Sequence, residues 1–377
     1  MFDPRYRRLA QLLVNYSCRV QPGENVLIEQ HGSDDALAKE LIEAVYAAGG
    51  RPQIKLWSDA LERAWIKGAD EKTMQLAAEV DAMQMQKMQA FIGIRQHTNL
   101  YNMSDITEAQ NANHTLNYYK PVHFAHRVPN TKWVVLRYPT PAMAQLAGMP
   151  FDRFEEFYFR VCNFDYAQLS AAMQPLKELL DAADRVEIKG RDVDLKFSIK
   201  GMKSIKCDGR MNIPDGEVYT APVKDSVEGY ITYNTPSPQD GKVFDAVHLE
   251  FSHGQIVKAS CANADQDAAL QAIFDTDPGA RYIGEFALGV NPFILQPMKD
   301  TLFDEKISGS FHFTPGNAYD DAFNGNRSAV HWDMVYIMRP EYGGCDIVID
   351  GELIERDGKF VHPDLKGLNP ENFALDI

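Results

Sequence analysis

The pattern of apolar residues changes near residue 185, and this change constrains the fold more than any other feature of the sequence. Before it, helical repeats alternate with apolar strand runs, which begin at Asn25, Pro52, Ala90 and Lys132. Strands that alternate with helices are typical of βαβ units around a mostly parallel sheet. After it, short runs alternate polar and apolar residues, with one helical repeat near Asp265–Thr276. That texture predicts a largely antiparallel β-rich region.

We therefore predict two domains. The first is an α/β N-terminal domain with a mostly parallel sheet over residues 1–184, and the second is a β-rich α+β C-terminal domain over residues 185–377. A helix over residues 165–183 would lead to the boundary. Asp3 and Pro4 predict the start of the first helix, and Ser33-Asp34 the start of the second. Three dipeptides favour tight hairpin turns in the second half: Asp240-Gly241, Asp350-Gly351 and Asp357-Gly358.

Charge and cysteine content limit the partners and the compartment. The chain has 38 Lys+Arg against 53 Asp+Glu, a formal net charge of −15. Such an acidic surface repels phosphate backbones and anionic lipid, so we expect neither nucleic acid nor membrane as a partner. The start of the sequence lacks the pattern of a signal peptide. The five cysteines form no C-x-x-C pair, which favours reduced thiols and a cytoplasmic location.

Common cofactor and nucleophile motifs are absent from the sequence. It contains no G-x-G-x-x-G and no P-loop, so a nucleotide cofactor has no support. It contains neither the H-E-x-x-H of zincin proteases nor the G-x-S-x-G of α/β-hydrolases. Any hydrolytic chemistry must therefore come from a different set of residues.

Five polar residues in the second half stand in strongly apolar or turn-rich surroundings. Glu217 follows a Pro-Asp-Gly turn, Glu285 interrupts the apolar run YIGEFALGV, and His312 lies between two phenylalanines. His331 and Asp333 fall in AVHWDMVYIM, which reads as a strand, so the two side chains would share a face. A buried carboxylate is costly unless it is paired, hydrogen-bonded or bound to a cation.

The five residues supply only nitrogen and oxygen donors, a set that suits Zn, Co or Mn. Five ligands exceed the three that a single catalytic zinc uses, whereas two metals bridged by a carboxylate would use them all. Each residue also has a structural reading, because a lone histidine in a strand is often a hydrogen-bonded core residue and a buried glutamate often pairs with a cation. We interpret the remaining histidines as solvated or structural: residues 31, 97, 114, 123, 126, 248, 253 and 362.

The same segments resemble the thermophilic-aminopeptidase family of metallopeptidases (aminopeptidases T, S and II). The resemblance begins with RYRRLAQLLVNYSCRVQPGENVLIE and continues through NIPDGEVYTAPVKDSVEG, IGEFALGVNP, DEKISGSFHFTPGNAY and NRSAVHWDMV. Five motifs in this order are specific, although each is weak alone. The resemblance implies a two-domain chain, usually a homodimer, with a co-catalytic pair of divalent ions. It also implies exopeptidase action on peptides with a free N-terminus.

The resemblance also implies a role for each residue that matches a family motif. The implied metal ligands are Glu217, Glu285 as the bridging carboxylate, His312, His331 and Asp333. Tyr319 matches a catalytic tyrosine, although Thr314 and Pro315 stand before it where the family has small apolar residues. Glu305 matches a further glutamate, whose role as ligand, base or ion-pair partner stays open. The expected enzyme is a metal-dependent aminopeptidase that hydrolyses the N-terminal peptide bond through a metal-bridged hydroxide held by two divalent ions (Zn, Co or Mn).

Two alternatives belong to other functional classes. His312, His331 and Asp333 alone would form the two-histidine, one-carboxylate triad of a non-haem iron ring-cleaving dioxygenase, which has no need of Glu217 or Glu285. A ring-cleaving dioxygenase acting on dihydroxypyridines looks like a relative of the same scaffold. The other alternative is a binding or structural protein without enzymatic activity, against which the complete polar set argues.

Overall fold

The computed structural model describes residues 3–239 and 241–374. They divide into two compact units. The first comprises the described residues up to Asn163 together with Gly209–Pro214, and the second comprises Phe164–Asp208 and the described residues from Asp215 onward. The helix Tyr166–Ala182 therefore groups with the second unit. The predicted domain boundary at residue 184 stays a prediction.

The first unit is built on a five-stranded parallel sheet, which confirms the α/β prediction. In spatial order its strands are Arg51–Trp57, Asn25–His31, Ala90–Arg95, Lys132–Arg137 and Asn212–Ile213, and every pairing is parallel. The adjacent strands Asn25–His31 and Ala90–Arg95 are almost entirely buried. Burial on both faces explains why they read as continuous apolar runs rather than as alternating ones.

Helices surround this sheet. The α-helices are Pro4–Leu12, Ala36–Ala47, Asp59–Gly68, Glu71–Met85, Glu108–His114, Val128–Asn130, Pro141–Leu146 and Phe151–Cys162, and two π-helical segments are Leu13–Ser17 and Thr115–Arg127. Asp3 caps the first helix, since its carboxylate accepts from the Arg5 N–H at 2.9 Å. The second helix begins one residue later than predicted, with Asp35 at the cap position and the Asp34 carboxylate accepting from the Ala36 N–H at 3.0 Å.

The second unit contains three antiparallel sheets, as the alternating pattern predicted. The eight-stranded sheet comprises Gln255–Ser260, His248–Ser252, Glu228–Thr232, Val193–Ser198, Arg185–Gly190, Cys345–Ile349, Glu352–Arg356 and Lys359–Phe360. The five-stranded sheet comprises Val335–Ile337, Ser310–Pro315, Ile283–Gly289, Glu217–Thr220 and Ile205–Cys207. A two-stranded sheet pairs Ser237–Gln239 with Lys242–Phe244.

Turns and short helices connect these strands. Asp350 and Asp357 adopt φ of 50° and 52°, and each is followed by a glycine with positive φ, so both predicted hairpin turns are confirmed. Asp240 of the third predicted turn lies outside the described residues. The α-helices are Tyr166–Ala182, Asp267–Phe274 and Thr301–Asp304, and the 3-10 turns are Ala264–Gln266, Asp320–Ala322, Pro340–Tyr342, Pro363–Leu368 and Pro370–Asn372.

An aromatic layer joins the two large sheets of the second unit. Phe286 and Phe313 project from the five-stranded sheet against Phe197 of the eight-stranded sheet, with ring centroids 5.1 and 5.2 Å away. Phe251 lies 5.8 Å from Phe313. Because side chains alternate along a strand, the neighbours of these phenylalanines point to the opposite face of the five-stranded sheet. Within the described chain, no helix combines the length and the apolar character needed to cross a bilayer.

Glu355 of this unit is a buried carboxyl group whose ionisation should lower the stability of the protein as the pH rises. Its side chain is 1% exposed, and neither carboxylate oxygen has a hydrogen-bond partner among the described residues. Burial raises the pKa of Glu355 to about 8 from an ordinary value of 4.5. Between these two values the unfolded chain releases the proton and the folded chain keeps it. Stability therefore falls with rising pH, by about 1.4 kcal/mol per pH unit from this group.

We expect Glu355→Gln to stabilise the protein at pH 7.5 and to make little difference near pH 4.5, because glutamine fills the same space without ionising. Urea unfolding at both pH values measures the change in the free energy of unfolding. The matched control is Glu352→Gln on the same strand, whose side chain is 63% exposed, with an expected change within about 0.5 kcal/mol. Equal effects of the two variants at pH 7.5 would contradict the buried carboxyl.

Candidate metal centre

The pairing of strands places three predicted ligands on one face of the five-stranded sheet. Glu217 lies opposite Gly289, and His312 lies opposite Ala287. Residues opposite one another in an antiparallel pair share a face, as do residues two apart along a strand. Glu285, Ala287 and Gly289 alternate along one strand and share a face. Glu217 and His312, which lie opposite Gly289 and Ala287, therefore share that face with Glu285. This is the face away from the phenylalanine layer.

Asp333 joins this face although the strand predicted through it is shorter than expected. The ladder covers only Val335–Ile337. Pro315 has no N–H to donate to the facing chain, and the Phe313 carbonyl accepts from the Tyr233 hydroxyl at 2.5 Å. The segment still keeps its register, since the Trp332 N–H donates to the Pro315 carbonyl at 3.1 Å.

That register sets Asp333 beside Thr314, whose hydroxyl donates to the Asp333 carboxylate at 2.8 Å. The predicted common orientation of His331 and Asp333 is present, with His331 Nε2 3.2 Å from Asp333 Oδ1. Trp332 between them is 2% exposed. Asp333 thus reaches the face that carries the other predicted ligands through its register, without a continuous strand.

The side-chain donors of these residues converge. His312 Nε2 lies 2.7 Å from Glu285 Oε1 and 3.7 Å from Glu217 Oε2. One donor atom each from Glu285, His312 and Asp333 lies within 4.8 Å of the other two. Two ligands bound at about 2.1 Å in a tetrahedron are about 3.4 Å apart. The spacing of the donors is therefore that of residues able to share ions.

The unsatisfied atoms of the cluster fit a cation. Glu217 and Glu285 are 5% and 4% exposed. Within the described parts of the chain, Oε2 of each accepts no hydrogen bond. A buried carboxylate oxygen without a donor is costly, and coordination to a divalent ion would satisfy it. The donor set and its orphaned oxygens thus fit a metal centre of nitrogen and oxygen ligands.

Neighbouring groups orient and charge the two histidines. His331 Nδ1 lies 2.8 Å from the Asn317 carbonyl oxygen, to which it donates, and this leaves Nε2 directed toward Asp333. Burial opposes the charged form of both imidazoles, but the Glu285 hydrogen bond raises the pKa of His312 to about 9, and Asp333 raises the pKa of His331 to about 10. Metal ligation needs neutral imidazole, so ion binding would displace these protons.

Lys306 is a charged member of the site that the sequence analysis missed. It is 1% exposed, and its Nζ lies 3.2 Å from Glu217 Oε1 and in direct contact with Glu305 Oε1. Burial disfavours its charge, yet Glu217 and Glu305 raise the pKa of Lys306 well above its ordinary value. Its one sequence signal is its position directly after Glu305. Cys207 lies opposite Glu217 in the sheet, and donor atoms of Cys207, Asp215 and Glu217 lie within 4.8 Å of one another.

The two predicted catalytic residues lie at the same cluster. Burial and the Glu217 carboxylate raise the pKa of Glu305 well above the ordinary value, against the effect of Lys306. The Tyr319 ring is 4.5 Å from the His331 ring and 47% exposed. Tyr319 is thus the solvent-facing member of the cluster. All seven predicted site residues gather in one region of the second unit, and their individual roles stay predictions.

The sequence over residues 2–360 matches the family described as thermophilic metalloprotease (M29). The chain belongs to family M29. It is similar to Aminopeptidase 2 of Geobacillus stearothermophilus, with 26% identity over 93% of this chain and 94% of that protein. It is also similar to Aminopeptidase PepS of Streptococcus thermophilus, with 24% identity over 96% of each. The predicted family and the predicted enzyme class, a metallo-aminopeptidase, are confirmed.

Two solved structures share the fold of this M29 protein. Wild-type AmpT from Thermus thermophilus superimposes with a TM-score of 0.79 and 22% identity over 96% of this chain and all of that one. A 2,5-dihydroxypyridine dioxygenase from Pseudomonas putida KT2440 superimposes with a TM-score of 0.62 and 13% identity, covering 96% and 98%. Because a peptidase relative and a dioxygenase share this fold, the fold alone does not decide which reaction is catalysed. Family membership does, and it favours a metallopeptidase over the iron dioxygenase.

Thr314 offers a test of how the predicted ligand Asp333 is positioned. We expect Thr314→Val to weaken metal binding by about tenfold or more, because Asp333 loses the hydroxyl that fixes it. Thr314→Ser keeps the hydroxyl and is the matched control. Competition with a chromophoric chelator measures metal affinity in both variants. Equal affinity of the valine and serine variants would show that the hydroxyl does not position Asp333.

Proposed function

We propose that this M29 metallopeptidase is an aminopeptidase that holds two divalent ions, Zn, Co or Mn, and removes the N-terminal residue of peptides. The observation that carries the proposal is the convergence of Glu217, Glu285, His312 and Asp333 on one buried sheet face, with His331 beside Asp333. Names of relatives support the exopeptidase reaction, since those described above are aminopeptidases. Glu285 stands near both His312 and Asp333, which suits a bridging carboxylate.

Divalent ions at this centre would lower the pKa of a water molecule and polarise the scissile carbonyl. The protein's own contribution is to fix the ligands before substrate arrives. Thr314 holds Asp333, Asn317 holds His331, and the sheet holds Glu217, Glu285 and His312. Ligands on strands are positioned more narrowly than ligands on loops.

Glu305 is our candidate for proton transfer. Its carboxylate contacts the Lys306 ammonium, and burial raises the pKa of Glu305, which makes this carboxylate a better proton acceptor than an ordinary glutamate. Lys306 beside it keeps positive charge near the developing negative charge. We assign the proton that leaves the attacking water, and that later reaches the departing amine, to Glu305.

Tyr319 is our candidate for stabilising the oxyanion. Its ring packs against the His331 ring and is 47% exposed, so its hydroxyl can meet substrate that approaches from solvent. A phenolic O–H aimed at a developing oxyanion contributes about 2.7–4 kcal/mol when it resembles other such donors. The net charge of −15 favours the approach of a cationic peptide N-terminus. We further propose a homodimer in the cytoplasm, on the sequence resemblance and the unpaired cysteine pattern.

We expect Glu285→Gln to lower turnover of an aminoacyl amide by about a hundredfold or more, because the variant loses a charged ligand of the metal centre. The matched control is Glu187→Gln in the same unit, whose side chain is 55% exposed, with turnover unchanged. Elemental analysis after reconstitution should find two ions per wild-type chain and fewer in Glu285→Gln. Unchanged turnover in Glu285→Gln would remove Glu285 from the mechanism.

The exopeptidase assignment has its own control. A peptide with a free N-terminus should be cleaved after its first residue, and its N-acetylated form should resist. A chelator should abolish cleavage, and added Zn, Co or Mn should restore it. Cleavage of the acetylated peptide at internal bonds would replace the aminopeptidase proposal with an endopeptidase. One iron per chain with oxygen uptake would replace it with a dioxygenase.

A further inference from the structure

The first unit has a cavity at the carboxyl ends of its parallel strands. It encloses about 300 Å³ and is lined by residues at or just beyond the ends of three strands, among them His31, Trp57 and His97. The strand order places Asn25–His31 beside Ala90–Arg95, with the chain connecting outward on each side. In open parallel sheets, ligands bind at such a switch point, outside the carboxyl ends of the strands.

One end of the cavity carries an excess of positive charge. Glu29, 4% exposed, accepts from Arg95 at 3.1 Å and from Arg127 at 3.4 Å. Two guanidinium groups thus share one carboxylate. His31 lies between Glu29 and Glu62, at 3.4 and 3.1 Å, so a charged His31 is balanced by Glu62. The remaining positive charge at the two arginines calls for an anion.

Buried polar atoms without a partner, two of them guanidinium donors, mark the same end. Arg95 Nη1, Arg127 Nε and His123 Nδ1 are buried, and in the described chain none has a hydrogen-bond partner. Arg127 is 6% exposed, and its guanidinium lies 3.7 Å from the centre of the Phe91 ring. A packed arginine with a free N–H is a preorganised donor, and carboxylate is the acceptor that its planar geometry matches.

Aromatic rings line the rest of the cavity. The Trp65 ring lies 5.7 Å from Trp57 and 5.0 Å from Tyr118. Tyr119 stacks on His123 at 4.6 Å with an angle of 20° between the rings. Walls of this kind take up flat apolar groups, while a few placed polar atoms fix their orientation. The cavity therefore has an anion-binding end and an aromatic wall within one enclosure.

We propose that this cavity is a binding site for a small organic carboxylate that carries an aromatic or other flat apolar group. Arg95 and Arg127 receive the carboxylate, and Trp57, Trp65 and Tyr118 pack on the ring. A cation is the competing ligand, because His31, Asp59 and Glu62 have donor atoms within 4.8 Å of one another. Asp59 is held by His97 at 3.0 Å and Asn102 at 3.1 Å, and both His31 nitrogens face carboxylates. These three residues therefore already pair with protein groups, whereas Arg95 and Arg127 keep N–H groups without a partner among the described residues.

The test is titration of the full chain with 3-phenylpropanoate, monitored by calorimetry and by tryptophan fluorescence, to which Trp57 and Trp65 contribute two of the chain's four indoles. We expect saturable binding, with a dissociation constant raised about tenfold or more in Arg95→Gln. Arg95→Lys, which keeps the charge but loses the forked geometry, is the second variant should Arg95→Gln not fold. Lys39→Gln, at a side chain 69% exposed, is the matched control and should bind as wild type does.

Related probes separate the possible sources of binding. L-Phenylalanine should bind, because it keeps the carboxylate, whereas phenethylamine should not. Glu285→Gln should retain 3-phenylpropanoate binding, because the metal centre lies elsewhere in the chain. Binding lost in Glu285→Gln and kept in Arg95→Gln would place the acid at the metal centre and overturn the proposal. Preference for phenethylamine, or no binding of either acid, would overturn it as well.

Discussion

Carboxylates crowded on a dry sheet face repel one another unless positive charge lies between them, and the second unit is organised around this constraint. Glu217 and Glu285 are nearly fully buried on one face of the five-stranded sheet, with Asp333 close by. Three kinds of positive charge can balance the group: the Lys306 ammonium, protons on His312 and His331, and the metal ions that membership of a metalloprotease family implies. Protons and ions compete for the same donors, so occupancy of the centre depends on pH.

The opposite face of the same sheet explains why this arrangement is tolerated. Phe286 and Phe313 alternate with the site residues and pack against Phe197. Burial of apolar surface contributes about 25 cal/mol of stability per Å², and these large rings bury enough of it to hold the strands against the eight-stranded sheet. One strand therefore contributes both to a core and to a charged face, because consecutive side chains point in opposite directions.

Sequence patterns single out residues that the fold brings together, but they do not identify the side chains that contact those residues. Polar residues inside apolar runs mark Glu285 and His312 without reference to any partner. Thr314 and Lys306 could not be found this way, because their partners are set by a register between segments and by a loop after a short helix. The strand predicted through Asp333 failed for a local reason, since Pro315 lacks the N–H that the ladder needs. The periodicity of a sequence predicts single strands, whereas contacts between side chains depend on the register between strands that are distant in sequence.

The first unit shows the same limit in a parallel sheet. Four of its five strands were predicted, and the two most buried ones, Asn25–His31 and Ala90–Arg95, were marked by apolar runs because both their faces are covered. The short strand Asn212–Ile213 was not predicted. The cavity of the unit was not predicted either, since the lining residues come from strand ends and from helices dozens of residues apart, and each histidine among them has no neighbour in sequence to suggest a role. Parallel strands end together at one edge, so residues that follow separate strands meet there whatever their spacing in the chain. Arg95 and Glu29 thus form one group across 66 positions. The candidate metal centre therefore lies on a face of an antiparallel sheet, and the cavity of the first unit lies at an edge of a parallel one. These are the places where each kind of sheet brings residues distant in sequence together.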